Sequence, residues 1–322
     1  MVLQKPSKWN DMNLNDKLRW YAKKDNDIKN IYADKYKIKF ILKQMSLPGL
    51  HYAKTITHVK PIQSSSDLKF IVPYEMELEP RENQITAKNI NDIIENVNSP
   101  EKFWAVLKEK YNIYPNNAIN SPPSSYIYKL NLGWNTMIFI NNNRIAKIVS
   151  GTKEFEPISD NIEKWKNYVV KHYVKKIPIK FFIEEFIGYD LKVYEIFCIY
   201  GKPRLCSVYY ETSGAMFESN YTIKSSDESE DGKLNLELLK GHFLFEGSVE
   251  LKHTINNDIV NQICDYAKKF ASYFEFVRVD FYVHKKKIYF SECTFKPGNL
   301  KNIKWRYIGQ VLSNCWTSKA LA

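Results

Sequence analysis

The sequence predicts a mixed α/β or α+β protein, and three observations carry that prediction. Segments of alternating strand character are interleaved with segments of helical periodicity along the chain. The 322 residues are 44% hydrophobic and 15% aromatic, with only 11 Gly and 13 Pro, which is the composition of a packed protein rather than a disordered one. The sequence has no internal repeat, and its length suffices for one large domain or two to three ordinary ones.

In chain order, residues 12 to 45 read as helical. Within "ADKYKIKFILKQM" the spacing of Tyr36, Phe40 and Ile41 makes an inward stripe, and Lys35 and Lys39 fall four apart on one helical face. "SLPGL" ends the helix and leads to the extended "HYAKTITHV"; residues 66 to 79 also read as extended. "TAKNINDIIENVNSPEKFWAVLKEKYN" supplies one or two helices, with Ser99 and Pro100 placed as N-cap and first helical residue. "YPNNAINSPPSS" is a loop and a subdomain boundary. "YIYKLNLGWNTMIFINNNRIAKIV" gives two or three strands, and a helix is expected around Ser159 to Tyr173. "IKFFIEEFIGYDLKVYEIFCIYGKPRLCSVYYET" reads as strand, short link, strand, turn at Gly201-Lys202, strand. After the acidic loop "KSSDESEDGK", an amphipathic helix puts Ile259, Ile263, Tyr266 and Phe270 on one side.

The helix delivers the chain to "FVRVDFYVHKKKIYFSECTF", two strands joined by lysines. If the loop is odd-numbered and centred on Lys286, Asp280 faces Glu292 and Arg278 faces Thr294, all on one side, with Val277, Val279, Phe281, Cys293 and Phe295 on the other. An even loop would separate the carboxylates. Two carboxylates about 5 Å apart at an effective dielectric near 20 repel by roughly 3 kcal/mol, so a positive partner is expected between them. Arg278 in an ion-pair cluster is one such partner. A divalent cation is the other, because hard cations take oxygen ligands and hold nucleotide phosphates.

Total charge and cysteine usage narrow the classes. There are 47 Lys and Arg against 36 Asp and Glu, a formal charge of +11. The lysines are spread along the chain and no nucleic-acid module accompanies them, so the basic balance points to anionic small molecules or an acidic polymer rather than nucleic acid. The five cysteines, Cys198, Cys206, Cys264, Cys293 and Cys315, lack CxxC spacing and read as reduced thiols of a cytoplasmic protein. No stretch reads as a signal peptide or transmembrane helix, so any membrane contact is expected to be peripheral.

Other chemistry-bearing places are few. Lys129 ends a strand ahead of a turn at Gly133, where a phosphate-gripping lysine would sit, but GxxxxGK[ST] is absent and Lys129 taken alone reads first as an exposed strand-end lysine. "FFIEEFIGYD" sets two adjacent glutamates in an apolar strand before a link to Asp190, where exposed backbone could clamp a flat base. "DLKVYEIF" alternates Asp190, Lys192 and Tyr194 on one face, as a cross-strand ion pair also would. The six histidines are scattered and none is placed as a catalytic base.

In order, these places resemble the ATP-grasp superfamily: "DKY...K", a strand lysine before a turn, "IEEFIG.D.K", then "RVDFY...IYFSECTF.PG". "LNDKLRW", "ADKYKIKFILK", "LKVYEIFCIYGKP" and "FEFVRVDFYVHKKKIYFSECTFKPG" are similar to its TupA-like branch, named for teichuronopeptide biosynthesis. The resemblance runs discontinuously from about Leu14 to Trp305. It implies an α+β fold in which two subdomains clamp ATP, with a helical and extended N-terminal region. The domains would be 1–120, with an insertion at 61–121 beyond the family pattern, then a small subdomain at 121–187 and a large one at 188–322.

The activity implied is an ATP-dependent carboxylate–amine ligase working with ATP and Mg2+, on a small-molecule or polysaccharide carboxylate and an amine. The resemblance assigns Lys35 and Lys129 to the ATP phosphates, and Glu184, Glu185, Phe186 and Ile187 to the linker whose backbone reads adenine. Asp190 falls to the ribose, Asp280 and Glu292 to magnesium, Arg278 to the transferred phosphoryl group, and Lys192 to the substrate carboxylate. Thr294 stands where many members carry a metal-binding Asn, and the loop after Lys129 is shorter and poorer in glycine than the usual phosphate cover. A sugar kinase and a non-catalytic nucleotide- or glycan-binding module remain open beside the ligase.

Overall fold

The computed structural model describes residues 4–24, 27–62, 125–130, 136–141, 144–150, 153–155, 179–188, 191–212, 215–224, 235–244, 248–251, 255–297 and 306–317. The expected strand at 66–79, the helices at 86–112 and 159–173, the insertion at 61–121 beyond Ile62, the loop after Lys129, the acidic loop and Asp190 lie outside these residues.

Along the chain, a 3-10 turn at Trp9–Asp11 precedes α1 (Leu14–Lys23), α2 (Asp27–Ala33) and α3 (Ile38–Met45). Then come β1 (Leu50–Tyr52), β2 (Thr55–Ile62), β3 (Tyr126–Leu130), β4 (Thr136–Asn141), β5 (Arg144–Ser150), β6 (Lys153–Phe155) and β7 (Ile179–Glu185). They are followed by β8 (Lys192–Ile199), β9 (Lys202–Thr212), β10 (Ala215–Lys224), β11 (Asn235–Leu238) and β12 (Val249–Glu250). α4 (Asn257–Ala271), β13 (Phe276–His284), β14 (Lys287–Thr294) and α5 (Arg306–Cys315) complete the described elements. Asn13 and Asn256 start α1 and α4 by accepting from the backbone N–H of Asp16 and Ile259, as helix N-caps do.

The chain divides into two compact units: Met1–Asp34, Ile38–Tyr52 and Gly188–Ala322 form the first, and Lys35–Lys37 with Ala53–Ile187 the second. The first unit holds an eight-stranded sheet in the order β1-β14-β13-β8-β9-β10-β11, with β12 paired to β10. Its core face is apolar: Val277, Val279, Phe281, Ile196, Cys198, Cys206, Val208 and Cys293 are buried. Ile263, Tyr266 and Phe270 of α4 are buried with them, as the periodicity of that helix predicts. Tertiary packing also ties chain-distant parts together. Trp9 donates its indole N–H to the Trp316 carbonyl at 2.8 Å and meets that ring edge-on at 5.3 Å. The buried Lys17 ammonium donates to the carbonyls of Ser313 (2.8 Å) and Trp316 (2.9 Å), satisfying the open C-terminal end of α5.

Two helical expectations are corrected here. Lys35–Lys37 is a turn between α2 and α3, so Lys35 and Lys39 do not share a helical face. In α3 it is Ile38 and Leu42, one turn apart, that are buried, while Phe40, about 200° around the axis from Ile38, is 56% exposed.

The other face of the first sheet carries a row of polar residues straight across five strands. Glu292 faces Asp280, Asp280 faces Glu195, Glu195 faces Ser207, and Ser207 faces Asn220. The β13–β14 loop is even, two residues long, with Lys285 at φ 48° and Lys286 at φ 64°, the left-handed pair that a tight hairpin of this twist requires. By itself an even loop separates the carboxylates. Between Asp280 and Phe281, however, the register shifts: Phe281 pairs with Phe290 and Asp280 with Glu292, leaving Ser291 as an extra residue in β14. The bulge restores what an odd loop would have given.

The second unit is a six-stranded antiparallel sheet in the order β2-β7-β3-β4-β5-β6. β7 is an inner strand, paired between β2 and β3, and Phe182 and Ile183 are fully buried in it. The five cysteines are free thiols, and burial pushes the Cys264 thiol up to about 12.

Candidate functional site

In the first unit, the β13–β14 hairpin and β8 gather one guanidinium and three carboxylates. Arg278 donates from Nε to Asp280 Oδ1 (2.8 Å) and from Nη2 to Asp280 Oδ2 (2.5 Å), a two-pronged grip. Its Nη1 lies 3.1 Å from Glu195 Oε1, and its Nη2 3.7 Å from Glu292 Oε1. Thr294 Oγ1 stands 3.4 Å from both Arg278 Nη2 and Glu292 Oε1. Tyr209 donates its hydroxyl to Glu195 Oε1 at 3.3 Å.

In this cluster one guanidinium faces three carboxylates, and burial and carboxylate–carboxylate repulsion both disfavour the ionised carboxyl forms. Burial pushes Asp280 well above the usual aspartate range although Arg278 pulls it down, and the neighbouring Glu195 and Glu292 add to the rise. Glu195 is raised for the same reasons, burial first. Burial opposes the charge on Arg278, but Asp280 and Glu195 outweigh it and hold the guanidinium protonated. The arrangement favours either a proton or a further cation.

In the second unit, Lys129 of β3 forms an ion pair with Glu184 of β7, both side chains largely buried, and its ammonium lies 5.9 Å from the Phe182 ring centroid. The two glutamates of "IEEF" point opposite ways. Glu184 is buried with its backbone inside the ladder, opposite Thr55 and Ile127, whereas Glu185 is exposed and exchanges contacts with Lys54. The chain leaves the strand after Glu185, so Phe186 and Ile187 form the irregular, half-buried stretch, with Phe186 edge-on to Phe139 at 6.1 Å. Lys35 lies half-buried in its turn.

Gly188 follows at φ 146°, and a Cβ there would meet the His284 ring at 2.8 Å, so no other residue fits without movement. Lys192 opens β8 exposed, on the parity of Tyr194 and not of Glu195, so strand alternation does not bring it to Arg278. Sequence reasoning missed Glu195 and Tyr209. The available signal was a single carboxylate inside the apolar run "VYEIFCI", since a charge is not buried there without a partner.

Among solved structures the chain is similar to D-alanine–D-alanine ligase from Helicobacter pylori, at 13% identity and TM-score 0.42, covering 98% of this chain and 70% of that one. It is also similar to D-alanine–D-alanine ligase from Bacillus anthracis (13% identity, TM-score 0.37, 89% and 67%). L-amino acid ligase from Bacillus licheniformis gives 11% identity and TM-score 0.37, over 89% of this chain and 50% of that one. Likeness at that level carries no weight for activity. No curated protein matches the sequence. The model of the TupA-like ATP-grasp family matches residues 119–307, more than half of the chain and including both the Lys129–Glu184 pair and the Arg278 cluster, and the protein belongs to that family.

Proposed function

We propose that the protein is an ATP-dependent carboxylate–amine ligase that forms an amide on a sugar acid, such as a uronic acid of a surface polysaccharide or its precursor. The observation that supports it most is the facing pair Asp280 and Glu292 with Arg278 against them. Phosphoryl transfer needs charge neutralisation and alignment more than covalent help, and that is what such a cluster can supply.

The donor set fits magnesium: hard carboxylate oxygens with a hydroxyl beside them, in the number that magnesium takes alongside nucleotide phosphates and water. Among the described residues no group of three or more His, Cys, Asp or Glu side chains is placed to hold a metal ion. Asp280 and Glu292, with Thr294, would hold Mg2+, which when bound neutralises phosphate charge. Lys129 and Lys35 would take phosphate oxygens, Glu185 to Ile187 the adenine edge, and Asp190 the ribose hydroxyls. Arg278 would hold the transferring phosphoryl group while an acceptor carboxylate oxygen attacks the γ-phosphorus and ADP departs. The acyl phosphate would then lose phosphate as the amine nitrogen attacks its carbonyl and gives up a proton. Lys192, exposed at the head of β8, is the proposed contact for the substrate carboxylate.

Incubation with Mg-ATP and a panel of uronic acids and amines tests this. The expected result is ADP release, with a product lighter than the acid and amine together by one water. A phosphorylated sugar formed without amine would support the kinase, and nucleotide binding without turnover a binding module. No ADP with any pair and no ATP-induced thermal shift would overturn the proposal.

A further inference from the structure

The Arg278 guanidinium is divided between two carboxylates with different prospects. Nε and Nη2 are spent on Asp280, at 2.8 and 2.5 Å, and Nη1 on Glu195 at 3.1 Å. Asp280 lies beside Glu292 on the hairpin, where a cation and phosphate would compete for it. Glu195 belongs to another strand and is flanked by Asp280 on one side and Ser207 on the other. It is 3% exposed, and Tyr209 donates to the same Oε1 that faces Arg278. A buried guanidinium that loses its main counter-ion must keep another or leave the site, because an unpaired buried charge is costly.

We propose that Glu195 is the positioning residue for Arg278: it keeps the guanidinium in place once Asp280 turns to the cation and the nucleotide phosphates. The proposal rests on the ligase reading of Asp280 and Arg278 and extends it to a residue of a different strand. Glu195 touches neither substrate nor metal; it acts through the arginine. Charge alone and positioning predict opposite signs for its removal. A negative charge close to an anion-binding group weakens anion binding, so deleting it without any positioning role strengthens that binding. If Glu195 holds Arg278 in line, deleting its charge weakens the grip on the transferring group.

The probe is MgADP with and without fluoroaluminate, a planar mimic of the phosphoryl group in transit, titrated calorimetrically into the full chain. In the wild type, fluoroaluminate is expected to tighten MgADP binding. Glu195→Gln should keep MgADP affinity within about threefold and lose at least about tenfold of the tightening. Glu195→Asp, which keeps the charge but is one methylene shorter, should retain part of it, and serves if the Gln variant does not fold. Tightening in the folded variants equal to or greater than wild type overturns the proposal, as does a wild type that binds MgADP and gains nothing from fluoroaluminate. A wild type that binds no MgADP overturns the ligase reading itself, and this inference with it.

Discussion

Asp280 faces Glu292 across the last hairpin because Ser291 is an extra residue in β14, not because the loop is odd. The same guanidinium contacts both carboxylates, yet very unequally, with two short bonds to Asp280 and a 3.7 Å approach to Glu292. An ion-pair cluster is thus present in the described structure, and in it Arg278 holds Glu292 less closely than Asp280.

Neutralising the two carboxylates should therefore have different effects. Asp280→Asn takes a buried partner from a buried arginine and should destabilise the fold by roughly 3 kcal/mol, as well as abolishing magnesium-dependent nucleotide binding. Glu292→Gln should destabilise less than Asp280→Asn, since the contact it takes from Arg278 is the longer one, while magnesium-dependent nucleotide binding falls by about tenfold or more. Denaturant melts and ATP titrations with and without magnesium check this; equal stability losses in both variants would contradict it.

Lys129 and Glu184 depend on each other. Lys129→Met should take a close cation from the buried Glu184 carboxylate and cost about 3 kcal/mol, whereas Lys129→Arg should keep most of the stability. In the double variant Lys129→Met/Glu184→Gln, much of the loss should return, because neither charge is then stranded. A double-mutant cycle with no coupling would show that the pair is not what holds the two strands' side chains.

Glu275 gives a pH dependence with a defined sign. Burial alone would raise its pKa, but Lys24 at 2.8 Å and Lys5 at 3.0 Å outweigh burial and lower it. A carboxyl lowered on folding binds protons less tightly in the folded state. Its stabilisation is fully present above the ordinary glutamate range and is lost as the pH falls through the lower, folded value. Glu275→Gln should flatten that acid limb of the stability curve, measured by urea melts from neutral pH downward. An unchanged limb would assign the acid dependence to other groups.

The β13–β14 turn invites a stabilising change. Lysine at two left-handed positions costs about 1 kcal/mol or more each relative to residues suited to them. Lys285→Asn/Lys286→Gly supplies the favoured pair for this turn and should raise the melting temperature by about 2 °C or more. A lower melting temperature would mean that the lysine side chains contribute more than their backbone costs.

Apolar alternation is a local property, and β3, β4, β5, β7, β8, β9, β13 and β14 fall where the pattern puts them, whereas β6, β10, β11 and β12 were not read from the sequence, although β10 pairs along β9. The hairpin partners were legible too, although through compensating errors: the loop parity was wrong and the bulge unforeseen, since Lys-Lys carries no turn signature and Ser291 no bulge signature. In α3 the stripe was misplaced because the helix starts at Ile38 instead of running on from α2, and only tertiary packing decides that start. Glu195 was illegible as a site residue because its partner is in another strand, 83 positions away in the chain. The side-chain roles of Glu184 and Glu185 followed only once the strand's faces were known, since adjacent residues must point oppositely.

The contacts of Trp9 and Lys17 with Trp316 set an order of events during synthesis. Helix α1 contributes Leu14, Leu18 and Tyr21 to a core whose closing residue is made about 300 positions later. Contacts of such separation form slowly, since the loop must be closed before they reward it. While the ribosome works through the stretch between Ala53 and Ile187, the apolar side of α1 has no lasting place to go. At that stage the nascent chain should be at its most dependent on a chaperone.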